Sequence, residues 1–378
     1  MRAASRYFCP ALLQSCKFSV ELSAYSTRTM SRAAFTVFKD GTAAPSSMSA
    51  KDFLLSQPRG AYTTARTFEQ RSIFELDAHM QRLAHSVWRM MQKGSGTTAA
   101  SGEDAADQTS DGALSESSLL PQLREPVLDA MRSAMTTHLQ HNSDDELKVT
   151  VLVGWGGGGG KSEQATNSTS VTAGTVAFDI SAHIAPLPPR PVPPVRVVIL
   201  GAPRANADAK DSAWVEQRQD LERAKGDGVN EVLLMGEDGS LPEGTQTNFF
   251  AVKDGVLYTA GTGILEGTVR GLVLDICQRT DVPVVLEPPN AAEIASWDGA
   301  FISSTSRLVL PINEIKLPPQ QLASNAEGLM RCFGADPAAP SAVGHDSAGA
   351  APHQQCALIQ RIEAALLQEV GSRSALVL

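Results

Sequence analysis

The stretch that decides the fold runs from Glu231 to Ala260 and reads EVLLMGEDGSLPEGTQTNFFAVKDGVLYTA. It begins with a strand-like run, Glu231 to Met235, that meets a Gly-Glu-Asp-Gly turn. After the carboxylate Glu243, a second apolar run leads to Lys253-Asp254-Gly255, a sequence typical of a tight hairpin turn. The pattern predicts a strand-rich core with Glu243 in a loop between strands.

A predicted helix follows this hairpin, from Gly267 to Thr280. The N-terminus of a helix presents backbone N–H groups and the positive end of the helix dipole, and both favour a phosphate. A nearby carboxylate such as Glu243 can address the ring nitrogen of an aromatic cofactor. The order of these features predicts a site for an aromatic cofactor that carries a phosphate.

In this order of residues the chain resembles the fold-type IV pyridoxal-phosphate enzymes: branched-chain aminotransferases, D-amino acid aminotransferases and aminodeoxychorismate lyases. The resemblance covers roughly Gly60 to Ile315. It implies a mixed α/β (α+β) fold, with a small N-terminal α/β domain and a larger C-terminal domain of mixed sheets around a barrel-like core. It also implies pyridoxal 5′-phosphate between the domains, and a homodimer.

Bulk properties limit the class of protein. The 378 residues, 42% of them hydrophobic, suffice for two ordinary domains. No apolar run approaches the ~20 residues of a membrane span, and a net charge of −9 argues against a nucleic-acid partner. The five cysteines are scattered and lack CxxC spacing, so neither a disulfide framework nor a metal site is expected.

The first 40 residues differ from the rest of the chain. Met1 to Lys39 holds six basic residues and one acid among many serines and alanines. This composition predicts a mitochondrial or plastid transit peptide over residues 1–40. A disordered tail, or translation that starts at Met30, is the alternative, and without a leader a cytoplasmic protein is expected.

Composition also predicts the domain organisation. A small N-terminal domain is expected over residues 41–185, with an acidic, low-complexity and disordered insertion at about 93–118. The run PLPPRPVPP, residues 186–194, is a stiff extended linker. The large cofactor-binding domain then covers 195–378, with a second disordered insertion at about 335–352.

Periodicity predicts the remaining elements. The predicted helices are 121–142, 291–297 and 357–370, the last with Leu358, Ile362, Ala365 and Leu366 buried. The predicted strands are 148–154, 175–184, 195–200, 282–286, 300–304 and 308–315. The run Gly156–Gly160 is interpreted as a flexible loop, because it lacks the spacing of a phosphate-binding loop.

The segment Phe74 to Leu83 matches the family pattern F-x-L-x-x-H-x-x-R-L. Asp77 is expected to cap a helix that buries Met80, Leu83 and Val87. The resemblance assigns the cofactor phosphate to Arg82, and a planar guanidinium suits a phosphate because it donates two parallel hydrogen bonds. His79 is interpreted as a brace for the helix.

A pyridoxal enzyme needs a lysine to hold the cofactor covalently and to move the Cα proton of the substrate. Lys210 lies 33 residues before Glu243 and follows a predicted strand, whereas Lys225 lies 18 before it in a polar stretch. The resemblance therefore assigns this role to Lys210. Burial is expected to lower its pKa so that neutral amine is present.

The resemblance assigns the other cofactor contacts as follows. Glu243 addresses the ring nitrogen, Asn248 organises the loop, and the phosphate is bound by the helix start and a strand-end loop. The assigned residues of these two phosphate-binding segments are Gly267, Thr268, Val269 and Thr305.

The chain departs from the family pattern at two positions. Where the aminotransferases carry a tyrosine after the lysine, this chain has Val215, beside Trp214, whose N–H can only donate. Ser304 replaces the glycine of the pattern F-x-S-G-T, which reduces backbone freedom there.

The resemblance implies a pyridoxal-phosphate-dependent class IV aminotransferase of the branched-chain or D-amino acid type, acting on an amino acid and a 2-oxo acid. One alternative is a lyase of the aminodeoxychorismate type that releases pyruvate, with a hydroxyl from Thr63 or Thr64 on the substrate side. The other is a non-catalytic family member. Substrate choice is expected to depend on the strand Ala61–Phe68.

Overall fold

The computed structural model describes residues 35–94, 115–142, 146–156, 176–316, 330–332 and 356–378. The predicted leader up to residue 34, most of the first predicted insertion, all of the second and Gly157–Gly160 lie outside the described residues. The ends of the first insertion, residues 93–94 and 116–118, are helical, so its predicted bounds were too wide.

A seven-stranded antiparallel sheet occupies the N-terminal half, with the strand order β16-β4-β3-β5-β6-β1-β2. Its strands are β1 Phe35–Lys39, β2 Thr42–Ser46, β3 Ala61–Phe68, β4 Ser72–Phe74, β5 Leu147–Trp155, β6 Phe178–Pro186 and β16 Ser374–Leu376. Three helices accompany it: α1 Ala50–Ser56, α2 Leu76–Gly94 and α3 Glu116–His141. The final strand returns to this sheet from the C-terminus, where it pairs with β4.

The central strands β3 and β5 present different chemistry on their two faces, because successive side chains of a strand point to opposite sides. Ala61 and Val151 belong to the apolar core that the sheet forms with α2 and α3. The alternate positions Tyr62, Thr64 and Thr150 line a cavity instead. The sheet thus provides both a core and one wall of a site.

Two further sheets follow, one of five strands in the order β11-β10-β9-β12-β13 and one of four in the order β15-β14-β7-β8. Their strands are β7 Arg196–Ile199, β8 Glu231–Leu233, β9 Asn248–Lys253, β10 Val256–Tyr258, β11 Val284–Val285, β12 Gly299–Ser304, β13 Leu308–Pro311, β14 Glu314–Lys316 and β15 Met330–Cys332. The helices are α4 Ala213–Gln217, α5 Gln219–Ala224, α6 Thr268–Arg279 and α7 Ala357–Glu369, and Ala291–Ser296 forms a 3-10 helix. The mixed α/β character predicted from the sequence is therefore confirmed.

The structure contains the hairpin predicted at Lys253-Asp254-Gly255 and the helix predicted from Gly267 to Thr280. Strands β9 and β10 are antiparallel around Asp254-Gly255, and α6 begins after its N-cap Gly267 and ends before its C-cap Thr280. The apolar face of α2 is also buried, as predicted for Met80, Leu83 and Val87.

Three sequence predictions about elements were wrong in detail. The strand predicted over 308–315 is two strands, because Asn313 leaves the ladder and its Oδ1 accepts a hydrogen bond from the Val195 N–H at 2.7 Å. Helix α3 starts at Glu116 rather than at residue 121, since burial of Leu119 extends it. Asp77 lies within the first turn of α2 and binds Arg124 at 2.8 Å instead of capping the helix.

Helix α7 buries a slightly different face from the predicted one. Ile359, Ile362 and Leu366 are buried, whereas Leu358 and Ala365 are only partly buried and pack at the edge of the core. Residues 187–195, between β6 and β7, form neither helix nor strand, and a two-domain division at this linker stays a prediction. Within the described ranges, no helix is both long enough and apolar enough to cross a membrane.

Candidate active site

A cavity of about 230 Å³ lies against β3 and β5, the start of α6 and the loop that follows β12. The eight residues predicted to bind the cofactor all line it, although they span more than half of the chain. They are Arg82, Lys210, Glu243, Asn248, Gly267, Thr268, Val269 and Thr305. The fold therefore brings the predicted site together at one place.

Lys210 is held against β3 by its backbone. Its carbonyl accepts a hydrogen bond from the Tyr62 N–H at 2.9 Å, and its own N–H donates to the Ser86 hydroxyl at 3.0 Å. The amine Nζ lies 4.7 Å from the centroid of the Tyr62 ring. Burial, together with the nearby Arg82, lowers the pKa of Lys210 to about 8. About a tenth of the amine is thus neutral at pH 7, far more than for a lysine with the ordinary pKa.

The other lysine weighed from the sequence is placed differently. Lys225 lies outside the cavity lining, and its amine pairs with Glu222 at 3.1 Å. Its surroundings are those of a helix-end ion pair, so of these two lysines only Lys210 lines the cavity.

Glu243 sits in a buried ion pair that the sequence did not reveal. The Arg204 Nε donates to its Oε1 at 2.8 Å, and the Leu265 N–H donates to its Oε2 at 3.1 Å. Both side chains are nearly inaccessible, at 7% for Arg204 and 4% for Glu243. Burial raises the pKa of Glu243, and Arg204 opposes that shift. Arg204 lies six residues before Lys210 in an irregular segment, and no periodic pattern marks it.

Arg82 reaches the cavity from α2 through contacts with β3. Its Nη2 donates to the Thr63 hydroxyl at 3.0 Å, and Nδ1 of His79 lies 2.8 Å from the same hydroxyl. Burial lowers the pKa of His79 well below its usual value, so the ring is neutral. His79 thus links α2 to the strand, which fits the predicted role of a brace.

The start of α6 and the loop after β12 meet at the cavity. The hydroxyls of Thr268 and Thr305 lie 3.5 Å apart. Asn248 fixes the approach to the helix, because its Nδ2 donates to the Leu265 carbonyl at 2.7 Å. A Cβ added at Gly267 would lie 2.2 Å from Asn248 Oδ1, so any larger residue at the helix start would displace the Asn248 side chain.

Val215 and Trp214 do not supply the hydroxyl that the family tyrosine would. Val215 is buried at 1% exposure beside Tyr62, and the Trp214 indole N–H donates to the Thr245 carbonyl at 2.7 Å. Tyr62 instead brings a phenol to the cavity from β3. Although burial by itself raises the pKa of this phenol, the cations Lys210 and Arg218 lower the pKa to about 8.

The sequence interpretation named the Ala61–Phe68 strand but did not single out Tyr62. Successive side chains of a strand point to opposite faces, and this alternation could have indicated which residues of the strand share a face with Tyr62. Ser304, which replaces the family glycine, also lines the cavity. Among the described residues, no group of three His, Cys, Asp or Glu side chains could hold a metal ion.

A sequence profile of the amino-transferase class IV family matches residues 60–315 of this chain. This match covers more than half of the 378 residues, and it spans the strand, the lysine segment, the Glu243 loop and the α6 start described above. The chain belongs to the class IV aminotransferase family.

Individual relatives agree with this membership. A branched-chain-amino-acid aminotransferase of Pseudomonas aeruginosa is 29% identical over 106 residues, covering 28% of this chain and 34% of the relative. A D-alanine aminotransferase of Bacillus licheniformis is 33% identical over 100 residues, covering 26% and 34%. The matched segments thus span about a third of these relatives.

The fold is that of solved members of the family. The branched-chain aminotransferase of the archaeon Thermoproteus uzoniensis, solved with norvaline, superposes with a TM-score of 0.56 at 16% identity. The superposition covers 91% of this chain and 99% of that one. Because the two sequences are only 16% identical, this structural similarity establishes the fold alone.

Class IV aminotransferases use pyridoxal 5′-phosphate, and the cavity's own chemistry fits that molecule. The wall holds seven cationic side chains and two acidic ones, which suits an anionic phosphate. The buried Arg82 Nε and Ser303 hydroxyl have no hydrogen-bond partner among the described residues. A helix start with free N–H donors, an amine with a lowered pKa and a buried carboxylate acceptor complete the set of groups that such a cofactor requires.

Proposed function

We propose that the protein is a pyridoxal-phosphate-dependent aminotransferase that moves an amino group between an amino acid and a 2-oxo acid. The observation that carries this proposal is the convergence of Lys210, Glu243, Arg82 and the start of α6 on one cavity. These residues come from segments far apart in the sequence, and a shared phosphate-bearing aromatic ligand explains why they meet.

Each residue has a role that its surroundings support. Lys210 would hold the cofactor through its amine; once the substrate amino group has displaced that amine, its neutral form would take the proton from the substrate Cα. Glu243, held by Arg204, is the carboxylate for the ring nitrogen. The N–H groups of Thr268 and Val269, the Thr305 hydroxyl and Arg82 hold the phosphate.

When bound, pyridoxal phosphate supplies an electron sink for the bonds at the substrate Cα. The protein adds position and proton control. Burial keeps Lys210 partly neutral, and the buried pair of Arg204 and Glu243 keeps a carboxylate in place without solvent. The lysine therefore has both the location and the protonation state that proton transfer at Cα requires.

The test is a half-reaction. The cofactor-loaded protein is mixed with single amino acids, and release of the matching 2-oxo acid is measured in the absence of any acceptor. We expect one equivalent of oxo acid per loaded site with a competent substrate, and none with Lys210→Ala. Loading without oxo acid from any amino acid would contradict the aminotransferase proposal and favour a non-catalytic family member.

A lyase that releases pyruvate is the second candidate, because Thr64 lines the cavity and offers a hydroxyl on the substrate side. Thr63 is instead fully buried against His79 and Arg82. Pyruvate released from an aminodeoxychorismate-type substrate, without consumption of an oxo acid, would identify the lyase.

Partners and location complete the proposal. The names of the relatives make branched-chain and D-amino acids the first substrates to test, and the family suggests a homodimer. The basic, serine-rich leader predicted over residues 1–40 suggests import into a mitochondrion or plastid. Light scattering and import of a leader fusion test these two points.

A further inference from the structure

Residues 210–212 run antiparallel alongside the start of β3. The Tyr62 N–H donates to the Lys210 carbonyl at 2.9 Å, and the Ser212 N–H donates to the Gly60 carbonyl at 3.0 Å. The Gly60 N–H donates in turn to the Ser212 hydroxyl at 3.0 Å. Hydrogen bonds on both sides of residue 211 therefore fix the main chain of this segment on the strand.

The side chain of Asp211, which directly follows Lys210, is bound by Arg59. The Arg59 Nε donates to both carboxylate oxygens, at 3.1 and 3.0 Å, and its Nη2 donates to Oδ2 at 2.5 Å. The Asp211 Oδ1 also accepts a hydrogen bond from the Ala213 N–H at 2.9 Å. A planar guanidinium that engages both oxygens fixes the orientation of the carboxylate and neutralises its charge.

Asp211 is at the cavity, whereas Arg59 is behind it. The lining contains two carboxylates, those of Asp211 and Glu243, and each is bound by an arginine, Arg59 or Arg204. The Asp211 side chain is 7% exposed, whereas that of Arg59 is 60% exposed and lies outside the lining. The structure therefore connects Arg59 to the cavity through the Asp211 carboxylate.

The charge of Asp211 matters because of the amine beside it. Charged and titratable groups from several elements surround the Lys210 amine: Tyr62 on β3, His79 and Arg82 on α2, and Arg204, Arg218 and Glu243. The arginines in this set favour the neutral amine, whereas a carboxylate without a counter-ion would favour the ammonium. Pairing of both lining carboxylates with arginines therefore helps to keep the amine neutral.

Building on the proposed function, we propose that Arg59 is a positioning residue for the reactive lysine, because it orients and neutralises the Asp211 carboxylate next to Lys210. The competing explanation is an ordinary ion pair at the protein surface, which would contribute little to stability and leave the amine unchanged. The two explanations differ in what happens to the amine when the arginine is replaced.

The test measures the protonation of Lys210 without the cofactor. The cofactor-free full chain is labelled briefly with acetic anhydride between about pH 6 and about pH 10, and acetylation of Lys210 is quantified by mass spectrometry, since only the neutral amine reacts. Arg59→Gln leaves Asp211 without its cation, so the midpoint should rise by about one pH unit, the lower end of the effect of an opposite charge. Labelling at pH 7 should then fall about tenfold. An unchanged midpoint would overturn the proposal.

Asp211→Asn separates the effect of charge from that of packing. Removal of the carboxylate should leave the midpoint at the wild-type value or lower it, whereas loosened packing would move it in the same direction as in Arg59→Gln. The double variant should have the midpoint of Asp211→Asn, because Arg59 acts only through that carboxylate. A midpoint above the wild-type value in Asp211→Asn would also overturn the proposal, and this test remains if Arg59→Gln does not fold.

Two further arginine variants serve as controls. Arg59→Lys keeps the positive charge, so it should restore most of the labelling that Arg59→Gln loses. Arg223→Gln is the matched control, because Arg223 is an exposed arginine that is paired with Asp220 and lies outside the cavity lining. Its midpoint should equal that of the wild-type protein, and a rise equal to that of Arg59→Gln would contradict a specific role for Arg59.

Cofactor attachment to the wild-type protein, measured by mass after borohydride reduction, separates this inference from the proposed function. Attachment together with an unchanged midpoint in Arg59→Gln would overturn the inference and leave the proposed function intact. A raised midpoint in Arg59→Gln, with no attachment to the wild-type protein, would support the effect of Arg59 on the amine and contradict the proposed function.

Discussion

The amine of Lys210 lies 4.7 Å from the centroid of the Tyr62 ring, and the two residues are also joined by a backbone hydrogen bond of 2.9 Å. Each side chain changes the pKa of the other: the phenol raises the pKa of the amine, against the larger effect of burial, and the amine lowers that of the phenol. The lysine segment and β3 therefore act as one unit in the site.

This coupling predicts the pH dependence of cofactor attachment. The neutral amine is the reactive form, and the pKa of Lys210 is lowered to about 8. The attachment rate should rise about tenfold per pH unit below that value and level off above it. Stopped-flow mixing of cofactor-free protein with pyridoxal phosphate measures the profile.

Tyr62→Phe should move the midpoint of this profile to lower pH, since the phenol raises the pKa of Lys210. Tyr258→Phe serves as the control, because Tyr258 lies outside the cavity lining. An attachment rate that keeps rising about tenfold per pH unit through about pH 9, as expected for a lysine with the ordinary pKa, would contradict the assigned protonation state.

The pair of Arg204 and Glu243 should be costly to break. Arg204→Met leaves the carboxylate of Glu243 buried without its charged partner, and loss of one member of a buried pair typically destabilises by about 3–5 kcal/mol. We expect a decrease of that order in the free energy of unfolding in urea. Arg223→Met, at an exposed ion pair, should change it by less than about 0.5 kcal/mol. Equal effects of the two variants would argue against a buried pair.

The start of α6 offers a matched pair of glycines. Gly267→Ala places a Cβ 2.2 Å from Asn248 Oδ1, whereas Gly271→Ala meets nothing within 4 Å. The first variant should displace the loop and weaken cofactor binding about tenfold, or ~1.4 kcal/mol. The second should bind normally and gain about 0.5–1 kcal/mol of stability, since glycine is unfavourable within a helix. Cofactor titrations and urea unfolding distinguish these outcomes.

Besides His79, whose pKa is lowered most clearly, two other buried histidines predict a loss of stability in acid. His138 contacts the Thr36 hydroxyl at 3.2 Å, and His183 contacts the Met48 carbonyl at 2.7 Å. Burial lowers the pKa of both His138 and His183. A lowered folded pKa means that the unfolded chain binds protons first, so stability should fall as the pH decreases below about 6.5.

The measurement is urea unfolding at several pH values between neutral and mildly acidic conditions. His183→Gln should show a shallower dependence than the wild-type protein, and the exposed His141→Gln should not. The same slope in all three proteins would show that other groups control the acid transition.

The sequence predicted those parts of the site that local patterns mark. Gly267 opens a helix and Asp254-Gly255 forms a hairpin, so their neighbours along the chain were sufficient. Arg82 and Lys210 were instead assigned through the family resemblance. Arg204, Arg218 and Tyr62 were not predicted as site residues. Their roles depend on contacts with Glu243, Gln246 and Lys210, which lie far away in the sequence and become neighbours only through the fold.

The misplaced element bounds have the same origin. A continuous strand over 308–315 has the expected apolar pattern, yet Asn313 binds Val195 across a long separation and the chain changes sheets there. Helix α3 begins earlier than its propensity suggests because Leu119 is buried in the core with α2 and the sheet. Tertiary contacts decided both boundaries, a hydrogen bond at Asn313 and burial at Leu119, and the local sequence pattern does not contain this information.

The most direct test of the central claim is to identify the residue that binds the cofactor. The protein is loaded with pyridoxal phosphate, reduced with borohydride, digested and sequenced by mass spectrometry, with Lys210→Ala and Lys225→Ala treated in parallel. The account predicts the cofactor mass on Lys210 in the wild-type protein and in Lys225→Ala, and its loss in Lys210→Ala. Attachment at a different lysine, or none at saturating cofactor, would contradict it.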